Sequence, residues 1–412
     1  MKKELASFLL SVYLLAGCGG GSSGSDIGAN DDTTNVVTLT KEELGERLFF
    51  DANLSLTRQT SCATCHNPEH GFIDNRFRKE GADQSIFVHG ALSVGDDGSA
   101  LGGRNASTVT YTKFSPEFDA NRVIGGQFHD GRAASLKEQS KRPPLDQTEM
   151  MMPDAASVVE RIKENPLYVT SFKALYGENI FDDTDASYDA MGEAIAKFEK
   201  TDLFSPFDSK YDKYVQCKKA GGRTSECFTQ GGWTVDEQLG MDLFFSEANT
   251  NCKTCHMVQT QSEVELETFT DYSYHNIGTP KNSEALEARY LLGLGEQNAT
   301  EHGVYGAYPN GVDASKDAAI KVPTLRNVAI TAPYMHNGVF KDLKTVLAFY
   351  DHMGSGERPL NPETGQVWGE PDVNVTINRM DLAMPALTDR KIEALEAFLK
   401  TLTDKRYEFL VQ

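Results

Sequence analysis

The chain is short of basic residues, of tryptophan, of cysteine and of strand-forming runs, and each shortage closes off a class of protein. Lys and Arg number 40 against 60 Asp and Glu, a formal net charge of −20 over 412 residues. Binding to phosphate backbones needs basic surface, so nucleic acid is excluded as the natural partner. The N-terminal apolar stretch, Phe8-Leu9-Leu10-Ser11-Val12-Tyr13-Leu14-Leu15, is far shorter than the roughly 20 residues of a membrane-spanning helix. Alternating strand patterns are sparse, which makes the expected fold class mainly α. Tryptophan occurs only at positions 233 and 368. With 39% hydrophobic residues over this length, two domains with sizeable cores are still expected.

Lys2 and Lys3 precede the apolar stretch, which ends in Leu15-Ala16-Gly17-Cys18. That ending resembles a bacterial lipobox and implies a leader over residues 1–17, cleavage before Cys18 and lipidation of its thiol. A plain secretory leader is the alternative. Residues 18–38, rich in Gly, Ser and Asp, read as a flexible tether. The expected location is the periplasm, with the chain held by lipid to a bacterial membrane, the outer one by preference.

Four more cysteines fall in two pentapeptides, Cys62-Ala63-Thr64-Cys65-His66 and Cys252-Lys253-Thr254-Cys255-His256. C-x-x-C-H is the attachment signature of a c-type haem: the two thiols form thioethers with one porphyrin, and the histidine ligates its iron. A zinc knuckle needs four ligands close together, and a thioredoxin-like pair does not require the histidine. Two copies imply two covalently bound haems c. Cys217 and Cys227 flank a polar, Gly-containing segment and are expected to form a local disulfide in an oxidising compartment.

The haem motifs lie in a partial internal repeat. Thr40-Lys41-Glu42-Glu43 is a capping box opening a helix that carries Leu44-Gly45-Glu46-Arg47-Leu48-Phe49-Phe50. Thr234-Val235-Asp236-Glu237 stands in the same way before Leu239-Gly240-Met241-Asp242-Leu243-Phe244-Phe245. The repeat predicts two cytochrome c-like domains, residues 39–203 and 204–412, with one haem each. Helical patterning also runs from Ala155 to Leu175 and from Thr184 to Lys200, and again on the Leu343, Val346, Leu347 and Tyr350 face and the Ile392, Leu395, Phe398 and Leu399 face. Gly81 to Arg104 reads as loop, and Leu203 to Trp233 as the link between domains.

In order along the chain come Leu48-Phe49-Phe50-Asp51, the first haem motif, Gly102-Gly103-Arg104-Asn105, Gln127-Phe128-His129-Asp130-Gly131-Arg132-Ala133 and Glu149-Met150. The second haem motif, Val322-Pro323-Thr324-Leu325-Arg326-Asn327-Val328 and Thr331-Ala332-Pro333-Tyr334-Met335-His336-Asn337-Gly338 follow. This series resembles the bacterial di-haem cytochrome c peroxidase family, which includes MauG, from about Leu44 to Leu402. The resemblance implies two helical haem domains packed around an inter-domain calcium ion. It makes His66 the proximal ligand of a peroxide-reacting haem and His256 that of an electron-transfer haem. Glu149 then occupies the place of the family's catalytic glutamate, with Gln139 as its partnering glutamine. A carboxylate can take a proton from iron-bound peroxide and return it to the leaving oxygen. Asn105, Thr331 and Pro333 match the calcium ligands, and neutral oxygens of this kind suit Ca²⁺.

Three positions decide which branch of the family the chain follows. His129 stands where the family usually has a tryptophan bridging the haems; as an imidazole it either bridges less well or packs there against a propionate. His89, before Gly90, is the candidate distal ligand of the first haem in the manner of the peroxidases, and an open haem as in MauG is the alternative. At the second haem, Tyr350 is the MauG-like distal ligand and Met353, one turn on, the peroxidase-like one. A phenolate lowers the iron potential and a thioether raises it. His275, in Tyr274-His275-Asn276-Ile277-Gly278, resembles a family segment near the second haem, whereas His70, His302 and His352 read as ordinary surface or packing residues.

The expected function is therefore reduction of hydrogen peroxide to water with electrons from a small cytochrome c or cupredoxin. The alternative is MauG-like oxidation of a Tyr or Trp on a protein substrate, and a non-enzymatic di-haem electron carrier is the third reading. Contact with the membrane is expected through the lipid alone, and family resemblance allows a homodimer.

Overall fold

The same device starts each half of the chain. In the computed structural model, which describes residues 38–257 and 267–411, Thr40 Oγ1 accepts from the Glu43 amide at 3.2 Å and the Glu43 carboxylate accepts from the Thr40 amide at 2.8 Å. Thr234 and Glu237 repeat the exchange at 3.2 and 2.6 Å. These reciprocal bonds satisfy amides that a helix start leaves unpaired. The helices they open, Lys41–Phe49 and Val235–Phe244, each turn one apolar face inward: Leu44, Gly45, Leu48 and Phe49 in the first, Gly240, Met241, Leu243 and Phe244 in the second.

Each helix crosses a later one at its glycine. A Cβ on Gly45 would collide with the Ala194 carbonyl of helix Thr184–Glu199, and one on Gly240 with the Ala394 carbonyl of helix Asp389–Lys400. The missing side chain lets the two backbones touch, and the phenylalanines either side lock the crossing. Phe49 meets Phe198 at 5.5 Å between ring centroids, and Phe244 meets Phe398 at 5.2 Å. Fully burying one such ring stabilises by about 1.5–3 kcal/mol. Two hydrophobic cores result, one from residues between Leu39 and Phe204, the other from residues between Tyr211 and Leu402.

The fold is mainly helical. Among the described residues the sheet content is one antiparallel pair, Tyr274–His275 against Ile320–Lys321, with Tyr274 opposite Lys321. The helical stretch expected from Ala155 to Leu175 is two helices, Ala155–Lys163 and Pro166–Tyr176. Pro166 has no amide to continue the first, and Asn165 caps the second through the Leu167 amide at 3.0 Å. The stretch read as a link holds two further helices, Lys210–Lys219 and Thr224–Gln230, clasped by a Cys217–Cys227 disulfide. The expected leader, Cys18 and the tether up to residue 37 lie outside the described residues. No helix among the described residues is long and apolar enough to cross a membrane.

Candidate active site

Each C-x-x-C-H forms a single helical turn, Cys62–Cys65 and Cys252–Cys255, and ends on a histidine whose backbone has left the helix. His66 Nδ1 lies 3.1 Å from the Phe72 carbonyl, and His256 Nδ1 2.9 Å from the Phe269 carbonyl. A carbonyl can only accept, so Nδ1 carries the proton and Nε2 keeps its lone pair for a metal. Burial lowers the pKa of both imidazoles, which keeps them in the neutral, ligating form. The four thiols are not bonded to one another. Burial pushes Cys65 and Cys255 up to about 12, so neither behaves as a reactive thiolate of the thioredoxin kind. Thiols and ligating nitrogens at both motifs thus fit covalent haem.

Glu149 belongs to the first of these sites. Its backbone carbonyl accepts from the Asp96 amide at 2.8 Å, and its own amide donates to the Asp146 carbonyl at 3.1 Å. Asp96 is fixed in turn by the Ser55 hydroxyl at 2.8 Å, which ties the turn to the N-terminal core. The Glu149 carboxyl lies near enough to Cys62 and Cys65 to raise both thiols. Burial, with help from the Asp146 charge and against Arg132, lifts Glu149 to about 7. A carboxyl poised there exchanges protons readily in both directions near neutral pH. Gln139 sits on the short helix Leu136–Ser140, and among the described residues its side-chain amide makes no hydrogen bond.

A cavity of about 280 Å³ carries most of the remaining candidates. Cys252, Cys255, His256 and Tyr350 line it together with His129, Asn105, Thr331 and Pro333. Tyr350 is close enough to both cysteines of the second motif for their charge to act on its phenol, whose pKa burial raises. Met353 is not part of the cavity lining; its methyl group packs where a Cβ on Gly278 would stand. Asn105, Thr331 and Pro333 all line this one cavity. Among the described residues no group of three or more His, Cys, Asp or Glu is set to hold a metal ion.

His129 is neutral, driven down to about 3 by burial and by the Arg104 charge, and its Nε2 meets the Asn105 carbonyl at 3.0 Å. His89 stands apart from this cavity in the described conformation, paired at 3.0 Å with Glu284 and 42% exposed. His275 is fixed from both sides, by Asn378 Nδ2 on Nδ1 and by Ser273 Oγ on Nε2, each at 2.8 Å. Sequence reading missed Glu301, which with Asp130 clamps Arg104 beside the cavity at 2.8 and 2.7 Å. Glu301 lies 197 residues from Arg104 and in no motif, so no local signal pointed to it.

Residues 39–220 match the family model of the di-haem cytochrome c peroxidases. The methylamine utilization protein MauG of Paracoccus denitrificans is 44% identical over 375 residues, 90% of each chain. The chain belongs to the di-haem cytochrome c peroxidase and MauG family. Cytochrome c peroxidase Ccp of Escherichia coli is 31% identical over 72% of this chain and 50% of its own. The crystal structure of the di-haem peroxidase BthA from Burkholderia thailandensis superposes with a TM-score of 0.71 at 29% identity, covering 89% of this chain and 86% of that one. This family member is an oxidoreductase, and membership of a di-haem family implies two haems c.

Proposed function

We propose that this enzyme is a peroxide-driven oxidase of the MauG kind, drawing electrons from a Tyr or Trp side chain of a protein partner. The observation that carries the choice is Tyr350, which lines the cavity at Cys252, Cys255 and His256 while Met353 packs away from it. A tyrosine ligand holds an iron at low potential, a poor acceptor for a stream of small electron carriers but a good store for oxidising equivalents. His89 paired with Glu284 supports a first haem open to peroxide without prior reduction. The 44% identity to a MauG supports the same branch.

A haem bound at Cys62, Cys65 and His66 supplies the redox chemistry of O–O cleavage. Glu149, in its ionised form, takes the proton from the incoming hydrogen peroxide and returns it to the departing oxygen as water leaves. Gln139 orients the peroxide through its free amide without competing for that proton. Asn105, Thr331 and Pro333 would hold a calcium ion between the two sites, and lipid on Cys18 would keep the enzyme at a periplasmic membrane face.

Peroxidase turnover with a small cytochrome c or cupredoxin is the second reading, supported by the E. coli relative. Mixing the oxidised holoenzyme with hydrogen peroxide separates them. A long-lived spectral change of both haems, with slow oxidation of added cytochrome c, is expected; rapid steady-state oxidation of that cytochrome would establish the peroxidase instead.

A further inference from the structure

The two proximal histidines are joined by a buried wall whose centre the chemistry above does not use. From the first site, the Phe72 carbonyl that holds His66 belongs to a ring packed on Phe204 at 4.4 Å between centroids. The Phe204 carbonyl accepts the Tyr111 amide at 2.9 Å. From the second site, Phe269, whose carbonyl holds His256, lies 5.5 Å from the Arg326 guanidinium, and that guanidinium is 5.4 Å from the Tyr111 ring. Tyr111 is therefore the meeting point of both proximal sides.

Its hydroxyl is equipped for more than packing. Tyr111 Oη donates to Asp404 Oδ1 at 2.5 Å and accepts from the Phe207 amide at 3.3 Å. The other Asp404 oxygen accepts from Asn327 Nδ2 at 2.8 Å, and burial raises the Asp404 carboxyl, which makes it a better proton acceptor than an exposed aspartate. Tyr111 is 2% exposed and Asp404 0%. Arg326, 1% exposed, is matched by both oxygens of Asp212 at 2.7 and 2.8 Å. Arg326 stands among Asp212, Asp404 and the partly buried Glu267, so acidic groups outnumber this cation. Removing one electron lessens that surplus of negative charge, a favourable change where the dielectric is low. A phenol that loses an electron becomes a strong acid, and a radical cation is costly in such surroundings, so the proton must have an acceptor within hydrogen-bond reach.

We infer that Tyr111 and Asp404 form a proton-coupled redox station between the haems. Tyr111 gives one electron to a haem oxidised by peroxide and its phenolic proton to Asp404 Oδ1, leaving a neutral tyrosyl radical and a neutral carboxyl. An electron from the other haem then returns to the ring, and the proton moves back from Asp404 to Oη. The station offers a route on the proximal side that does not depend on His129. The two tryptophans lie elsewhere, Trp233 against Tyr214 and Phe228, Trp368 against Phe340 and Phe349.

This inference rests on the peroxide reading above, and one experiment tests them separately. Oxidised holoenzyme, made with ring-deuterated or ordinary tyrosine, is mixed with hydrogen peroxide, freeze-quenched and followed by electron paramagnetic resonance and by haem absorption. The expected result is a radical signal that narrows on deuteration, falls at least tenfold in Tyr111→Phe and changes its g values in Asp404→Asn. In Tyr111→Phe, peroxide-dependent change at the second haem should also slow by at least tenfold with the resting haem spectra unaltered. A haem response with no tyrosyl signal, or with a signal indifferent to both substitutions, overturns the station alone. Absorption that does not respond to peroxide in the unaltered enzyme overturns the peroxide reading and the station with it. Should Tyr111→Phe fail to fold, unchanged g values in Asp404→Asn overturn the inference.

Discussion

The two C-x-x-C-H sites are built alike around the motif histidine and differ in the side chains that approach the motif. Both start from a Thr–Glu capping box, both cross a later helix at a glycine, and both fix the proximal histidine through Nδ1 on a phenylalanine carbonyl. The other groups near each motif differ. The first has Glu149, lifted to about 7, with Gln139 nearby in sequence; the second has the phenol of Tyr350. Holding a haem is a backbone problem, solved twice by one repeated unit. Assigning its chemistry is a side-chain problem, and the proposed function gives it to Glu149 for proton transfer and to Tyr350 for ligation.

The strongest break in the comparison is expected at Glu149. Glu149→Gln keeps size and shape but removes proton transfer, so reaction of the first haem with hydrogen peroxide should slow by about 10²–10⁴-fold. Stopped-flow absorption at the first haem measures it, and the second haem's resting spectrum should not move. A rate within twofold of the unaltered enzyme would remove Glu149 from the acid–base role. The mirror experiment is Tyr350→Met, which should raise the second haem's potential, on the order of 100 mV within the roughly 0.8 V range that axial ligands command. A spectroelectrochemical titration that finds both potentials unchanged would show that Tyr350 does not ligate.

Smaller effects test the shared half of the comparison. Gly45→Ala and Gly240→Ala each force a methyl into a backbone carbonyl, of Ala194 and of Ala394 respectively. Each should destabilise by about 3 kcal/mol through overpacking, in its own core and to a similar extent. Denaturant unfolding followed at each haem would reveal whether the two crossings are equivalent. A cost below about 0.5 kcal/mol at either glycine would mean that the helices there can separate freely.

How far the sequence could be read follows the same division. The capping boxes and the C-x-x-C-H motifs are local patterns, and the helices and the di-haem family were legible from them. Residues that meet across the chain were not. Arg104 and Glu301 are 197 positions apart, and Tyr111 and Asp404 are 293 apart, with nothing in either neighbourhood naming the other. Tyr350 and Met353 show a subtler limit. One helical turn apart on Leu343–Ser355, they share a face by periodicity alone, and only the packing of Met353 against Gly278 separates their roles.

The finest test concerns how the first site sets its acid. Two charges act on Glu149 beyond burial: Asp146 pushes its pKa up and Arg132 pulls it down. The ionised form accepts the peroxide proton, so the peroxide rate should rise with pH, tenfold per unit, and level off above about 7. Asp146→Asn removes a negative neighbour, stabilises the carboxylate and should move the midpoint to lower pH. Arg132→Gln removes a positive one and should move it to higher pH. The plateau rate should change little in either, because the proton acceptor itself is retained. At the second site Asp381 lines the cavity and raises the Cys255 thiol, and burial raises the Tyr350 phenol further from neutrality. A pH profile that follows both substitutions in opposite directions, seen at the first haem and absent at the second, would locate proton chemistry in one half of a molecule whose haem-binding frame is repeated in both.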